Sequence, residues 1–131
     1  MIDHLNAVVL AVRDVKGCAH FYRDKLGLRL DELHEEEAYL SFGPGAPGLA
    51  LKSVSLVSRK ISESRIRPDE EAVQRTQLVV FVTDIDAEHN ALLKKGVRFV
   101  DVPTTKADGW RTAHFEDPSG NLWELSQRPK R

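Results

Sequence analysis

Val8-Val9-Leu10-Ala11-Val12-Arg13-Asp14-Val15 and, seventy positions later, Leu78-Val79-Val80-Phe81-Val82-Thr83-Asp84-Ile85 are two versions of one phrase. Each is a short, nearly continuous apolar run, rich in β-branched residues, with an aspartate close behind it. Such a run suits a strand buried on both faces. The aspartate suits a helix N-cap, where a carboxylate accepts bonds from the unpaired N–H groups of the first turn. Outward from the first run, Val15, Ala19, Tyr22 and Leu26 fall on one stripe, so the spacing predicts a helix near 15–26. Outward from the second, Ile85, His89 and Leu92 or Leu93 turn inward on a helix near 85–95. Gly27 and Gly96 then stand where a left-handed residue closes a helix. Past them, Leu28-Arg29-Leu30 matches Val97-Arg98-Phe99 at an offset of sixty-nine.

The two halves also end alike. Strands are expected near Ala38–Phe42 and Leu49–Leu51 in the first half, and near Thr112–Glu116 and Trp123–Leu125 in the second. Gly-Pro and Asp117-Pro118-Ser119-Gly120 turns join them. Each half therefore reads β-α-β-β-β. The fold class is α+β: a single domain of two tandem β-α-β-β-β modules, spanning about residues 5–54 and 77–127, that form a curled mixed sheet around a cleft. Residues 55–76 read as a solvated linker, or alternatively as a lid or dimer arm that carries Arg59, Lys60, Arg65 and Arg67 toward an anionic ligand. The runs Glu35-Glu36-Glu37 and Asp69-Glu70-Glu71 read as solvated turns.

Composition narrows the function classes. The 131 residues are 41% apolar and 30% charged, as in an ordinary globular protein. A net charge of -1 argues against a general nucleic-acid binder, which needs a basic face. The single cysteine, Cys18, has no disulfide partner in the chain and is expected to pack as a small hydrophobe. No apolar run approaches the ~20 residues that span a bilayer, and Met-Ile-Asp-His opens no signal core, so a cytoplasmic protein without a membrane partner is expected.

Three stretches carry a resemblance: the first strand with Asp14, then Phe21-Tyr22-Arg23-Asp24-Lys25-Leu26-Gly27-Leu28, and finally Phe115-Glu116-Asp117-Pro118-Ser119-Gly120-Asn121-Leu122-Trp123-Glu124-Leu125. Together they resemble the vicinal-oxygen-chelate superfamily of glyoxalase I, extradiol dioxygenases, and fosfomycin- and bleomycin-resistance proteins. The resemblance implies two modules forming an open cup, and a divalent ion that chelates two neighbouring substrate oxygens as a Lewis acid. It also implies metal-ligand positions at Ala7 and Ala50 in the first module, and at Gln77 and Glu124 in the second. Two of the four are alanine and carry no donor atom. Gln77 and Glu124 remain as a weak, incomplete metal site, with His4 as a substitute for Ala7 only near a frayed strand start. The cofactor expectation is therefore none, or a weakly bound divalent metal. The resemblance further implies a homodimer, with the linker and first strand as the contact.

Strand alternation selects the side chains that face the cup. In the second module these include Gln77, Phe81, Thr112, His114 and Glu124, and in the first Tyr39 and Ala50. Glu124 and His114 share a face and suit an acid–base pair. Phe81, Trp110, Arg111, Thr112 and Tyr39 are the candidate ligand contacts: Trp110 stacks on a planar group or covers the sheet edge, and Arg111 holds a carboxylate or phosphate or points into solvent. Trp123 is expected in the core. The functional expectation is a small-molecule-binding protein of the glyoxalase/bleomycin-resistance/dioxygenase type with a degenerate metal centre. The alternative is a lyase, isomerase or oxygenase that uses Glu124 with His114 or a weakly held divalent metal.

Overall fold

In the computed structural model, which describes residues 3–60 and 76–130, Asp14 and Asp84 both cap helices. Asp14 Oδ1 accepts from the Gly17 N–H at 3.0 Å, and Asp84 Oδ1 accepts from the Ala87 N–H at 3.1 Å. Both helices also close in the same way. The Leu28 N–H reaches back to the Tyr22 carbonyl at 3.0 Å over Gly27, whose φ is 79°. The Val97 N–H reaches back to the Leu92 carbonyl at 3.0 Å over Gly96, whose φ is 84°. A positive φ strains any residue with a Cβ, so glycine occupies both stops. The helices end at Asp24 and Lys94, slightly earlier than the apolar stripes suggest, because these closing bonds take over the last carbonyls.

The chain divides into two compact units, Met1–Ala72 and Val73–Arg131. In chain order the first unit holds β1 (Ala7–Val12), α1 (Val15–Asp24), β2 (Arg29–Leu33), β3 (Glu37–Ser41), β4 (Gly48–Ser53) and α2 (Val54–Lys60). Its sheet runs β1-β4-β3-β2, with β1 and β4 parallel and the other pairs antiparallel. One face buries Leu10, Val12, Ala38, Leu40, Leu49 and Leu51 together with Val15, Cys18, Ala19 and Tyr22 of α1. Cys18 is a fully buried thiol, as expected of a small hydrophobe.

The second unit holds β5 (Leu78–Phe81), α3 (Ile85–Lys94), β6 (Arg98–Phe99), β7 (Thr104–Thr105), β8 (Arg111–Glu116) and β9 (Leu122–Gln127). Its sheet runs β5-β9-β8-β6, the same order as in the first unit, with the short β7 added beside β8. The parallel pair again joins the first and last strands, here β5 and β9. The buried face is aromatic: Phe115 and Trp123 stack with centroids 6.0 Å apart, Phe99 lies 5.5 Å from Phe115, and the His89 ring meets Phe99 edge-on at 4.4 Å. Trp123 belongs to this core. Asp117, also buried, fixes the turn from β8 to β9 by accepting from the Ser119 and Asn121 N–H groups and from the Asn121 side chain at 2.8–2.9 Å. No helix among the described residues is long and apolar enough to cross a membrane.

Two expectations need correcting. The linker does not begin at Ser55, because α2 follows β4 directly. Ser53 Oγ accepts from the Leu56 N–H at 3.0 Å, and Val57 is buried. Glu35-Glu36-Glu37 is not simply a solvated turn either. Glu37 opens β3, and Glu36 accepts from Arg59 at 2.7 Å, which ties α2 to the β2–β3 hairpin. That contact also holds the Glu36 carboxyl below its ordinary range. Arg59 is thereby engaged within its own unit. Arg65, Arg67 and Asp69-Glu70-Glu71 lie outside the described residues.

Candidate functional site

The face of the second sheet opposite its aromatic core carries two rows of side chains, because directly paired residues project to the same side. One row is Val79–Glu124–His114 and the next is Phe81–Ser126–Thr112. Val79 and Phe81 stay 47% and 59% exposed, so this face is accessible at β5 and closes over toward β8. Glu124 and His114, brought together as alternation requires, meet at 2.9 Å between Oε1 and Nε2. The second Glu124 oxygen accepts from Ser126 Oγ at 2.7 Å. On its other side, His114 Nδ1 lies 2.7 Å from Asp101 Oδ2, while the His114 backbone N–H donates to Asp101 Oδ1 at 2.6 Å. A continuous hydrogen-bonded chain thus runs Asp101–His114–Glu124–Ser126. Thr112 sits buried beside Ser126, and its Oγ1 is fully enclosed with no hydrogen-bond partner. A buried hydroxyl in that state is costly unless something else satisfies it.

Phe81 and Trp110 meet with ring centroids 5.4 Å apart, and the Arg128 guanidinium lies 4.9 Å over the Phe81 ring. Trp110 is held by the turn before β8: its backbone N–H donates to Asp108 Oδ1 at 3.1 Å and its backbone carbonyl accepts from the Lys106 N–H at 2.7 Å. Arg111 makes a bidentate contact, but with a carboxylate of its own chain. Nε and Nη2 donate to Asp86 at 3.1 and 2.8 Å, and Nη1 donates to Thr105 Oγ1 at 3.1 Å. The pairing holds the Asp86 carboxyl below its ordinary range. Arg111 therefore clamps the first turn of α3 to β7 and β8.

The first sheet repeats the geometry with different chemistry. Val9 pairs with Ala50, and Ala50 with Tyr39, in the register that joins Val79, Glu124 and His114 in the second. Ala50 is thus the counterpart of Glu124, and Tyr39 the counterpart of His114. Ala7 and Gln77 stand two residues ahead of Val9 and Val79, Gln77 exposed just before β5. Tyr39 donates to Glu37 Oε2 at 3.0 Å, which raises the phenol above its ordinary range. His4 lies outside β1, exposed, with Nδ1 3.1 Å from Asp3. Among the described residues, no group of three or more His, Cys, Asp or Glu side chains is arranged to hold a metal ion.

Sequence reasoning missed Asp101, Asp86, Arg128 and Lys130. Asp101 reaches His114 across thirteen residues, and Asp86 reaches Arg111 across twenty-five. The only local signal for Asp86 was an acidic residue in the first turn of a helix. Lys130 reads only as part of a short basic tail over residues 129–131 with no evident role, and Arg128, just before it, carries no local signal.

A family model for the Glyoxalase/Bleomycin resistance protein/Dioxygenase superfamily matches residues 2–125. The uncharacterized protein YraH of Bacillus subtilis (strain 168) is 33% identical over 118 residues, covering 88% of this chain and 91% of that protein. A glyoxalase/bleomycin resistance protein/dioxygenase from Nocardioides is similar in structure, with a TM-score of 0.83 at 23% identity, over 99% of this chain and 86% of its own. A glyoxalase/bleomycin resistance protein/dioxygenase family enzyme from Burkholderia phytofirmans PsJN gives a TM-score of 0.80 at 16% identity, over 95% of this chain and 98% of its own. At such identities the two structures speak for the fold.

Proposed function

The chain belongs to the glyoxalase/bleomycin resistance/dioxygenase superfamily, and on that premise we propose that it binds a small molecule on its second unit without the metal centre the family resemblance implies. One observation carries the reading: the first sheet places Ala50 where the second places Glu124. A catalytic metal ordinarily keeps three protein ligands. Ala7, Ala50, Gln77 and Glu124 offer one carboxylate and one amide, and the carboxylate is already engaged by His114 and Ser126. That donor set does not fit a divalent transition-metal ion. What remains suits a binding site: apolar Val79 and Phe81, an aromatic Trp110, and convergent polar groups in His114 and Glu124, whereas the enclosed Thr112 hydroxyl does not reach the face.

Metal analysis of the purified protein and a thermal-shift screen of small molecules test this together. The expected result is no stoichiometric metal, and at least one compound that stabilises the fold. A ligand at 100 times its Kd adds roughly 2.7 kcal/mol. Stoichiometric Ni, Zn, Mn or Fe that disappears in Glu124→Ala would reverse the reading.

The Asp101–His114–Glu124–Ser126 chain favours a second reading, a lyase, isomerase or oxygenase. Glu124 would take a proton from an acidic C–H or O–H of the ligand, and His114, backed by Asp101, would stabilise the resulting charge state. Turnover abolished by Glu124→Gln, with the fold intact, would establish it. The homodimer belongs to the same proposal and rests on the family resemblance, with Leu5 and Val9, exposed apolar residues just before and on the first strand, as support for the expected contact. A monomeric mass in sedimentation would remove it.

A further inference from the structure

Resting on the reading that the second unit binds a small molecule, we propose that its ligand is an aromatic anion, with the acid group held by Arg128 and Lys130 and the ring by Phe81 and Trp110. Two hollows of about 380 and 470 Å³ adjoin here and share Gln127, Arg128 and Lys130 on their walls. Both fall within the usual size of small-molecule sites, ~300–1,000 Å³. The smaller includes Phe81 and Thr83, and the larger includes Asp86 and Arg111.

The charges decide what the hollows accept. Arg111 and Asp86 neutralise one another through their two-point contact. Neither Arg128 nor Lys130 lies within ion-pair distance of a carboxylate among the described residues, although the Lys130 charge also reaches Asp86. Around the two hollows three cations thus face one carboxylate, and positive charge is in excess. In the larger hollow Asp86 already occupies the donor edge of Arg111, which directs the acid group to the Phe81 side, where Thr83 also offers a hydroxyl. The guanidinium over Phe81 keeps its N–H edge available for a carboxylate. Phe81 is more than half exposed, and a planar ring laid against Phe81 and Trp110 would remove that apolar surface from water.

Alternatives satisfy only part of this arrangement. An inorganic anion leaves the aromatic pair uncovered, and a neutral ring leaves both cations unmatched. A polyanion such as nucleic acid needs more than two spare cations, in a chain whose net charge is -1. The tail that carries the cations is also seated: Pro129, between them, packs so closely on Gly109 that a Cβ there would lie 3.0 Å from the proline ring.

Titration with 2-naphthoate, 2-naphthalenemethanol and acetate, followed through the two tryptophan indole N–H signals in ¹⁵N–¹H spectra, tests the proposal. The Trp110 signal should move saturably with 2-naphthoate, while that of Trp123, buried in the core, stays put. Binding should weaken about tenfold or more in Arg128→Gln and in Lys130→Gln, and for the alcohol, and acetate should not saturate. Equal binding of acid and alcohol, or undiminished binding in both variants, overturns the anion assignment and leaves the binding reading intact. A silent Trp110 overturns it as well, and if the thermal-shift screen is also silent, the binding reading falls with it.

Discussion

His114 Nε2 lies 2.9 Å from Glu124 Oε1, while the opposite ring nitrogen lies 2.7 Å from Asp101. A neutral imidazole has one donor nitrogen and one acceptor. With a carboxylate on each side, either the ring carries both protons or one carboxyl is protonated. Asp101 and Glu124 are therefore linked through the ring although they do not touch. Asp101→Asn and Glu124→Gln should be non-additive by about 1 kcal/mol in urea denaturation of the two single variants and the double. Additivity within about 0.3 kcal/mol would mean that the three groups act independently.

Thr112 carries an enclosed hydroxyl that bonds to nothing, directly beside Ser126, whose hydroxyl is satisfied by Glu124. Replacing it with the near-isosteric valine removes a desolvated polar group and loses no hydrogen bond. Thr112→Val should therefore raise stability by roughly 1 kcal/mol, read from the denaturation midpoint. The matched Ser126→Ala should lower it, because Glu124 loses a donor. A destabilised Thr112→Val would mean that its hydroxyl has a partner in solution.

These details differ in how far they could be read from the chain, and the reason is range. Asp14 and Asp84 were legible because a cap bonds three residues ahead, and Gly27 and Gly96 because a helix stop is equally local. Parity along a strand is local too, so His114 and Glu124 were placed on one face before any pairing was known. Helix α2 was hidden by its composition. Ser53-Val54-Ser55-Leu56-Val57-Ser58 favours neither helix nor strand, and burial of Val57 decides the matter. Arg111 shows the limit most clearly. Its bidentate use was legible, but its partner lies twenty-five residues away on α3 and proved to be internal.

That pairing sets a pH dependence. The Arg111 guanidinium holds the Asp86 carboxyl below its ordinary range. A carboxyl depressed in the folded state contributes stability above its unfolded pKa, and the contribution is lost as pH falls through the folded value. The gap in stability between the parent protein and Arg111→Gln should therefore be full at neutral pH and shrink below about pH 4. Urea midpoints of both proteins across that range measure it. A gap that does not narrow in acid would place the role of Arg111 in packing instead.

Gly109 and Gly45 both have positive φ, 90° and 80°, so alanine strains the backbone at either by ~1–2 kcal/mol. Their surroundings differ. A Cβ at Gly45 meets nothing within 4 Å, whereas one at Gly109 lies 3.0 and 3.3 Å from Pro129 Cβ and Cγ. Gly45→Ala should therefore show the backbone cost alone. Gly109→Ala should show the same cost and in addition push Pro129 away, moving Arg128 from its place over Phe81 and altering the Trp110 indole signal. Equal effects of the two substitutions on that signal would mean that the tail is not seated on Gly109 in solution, and the cations beside Phe81 would then lack a fixed position.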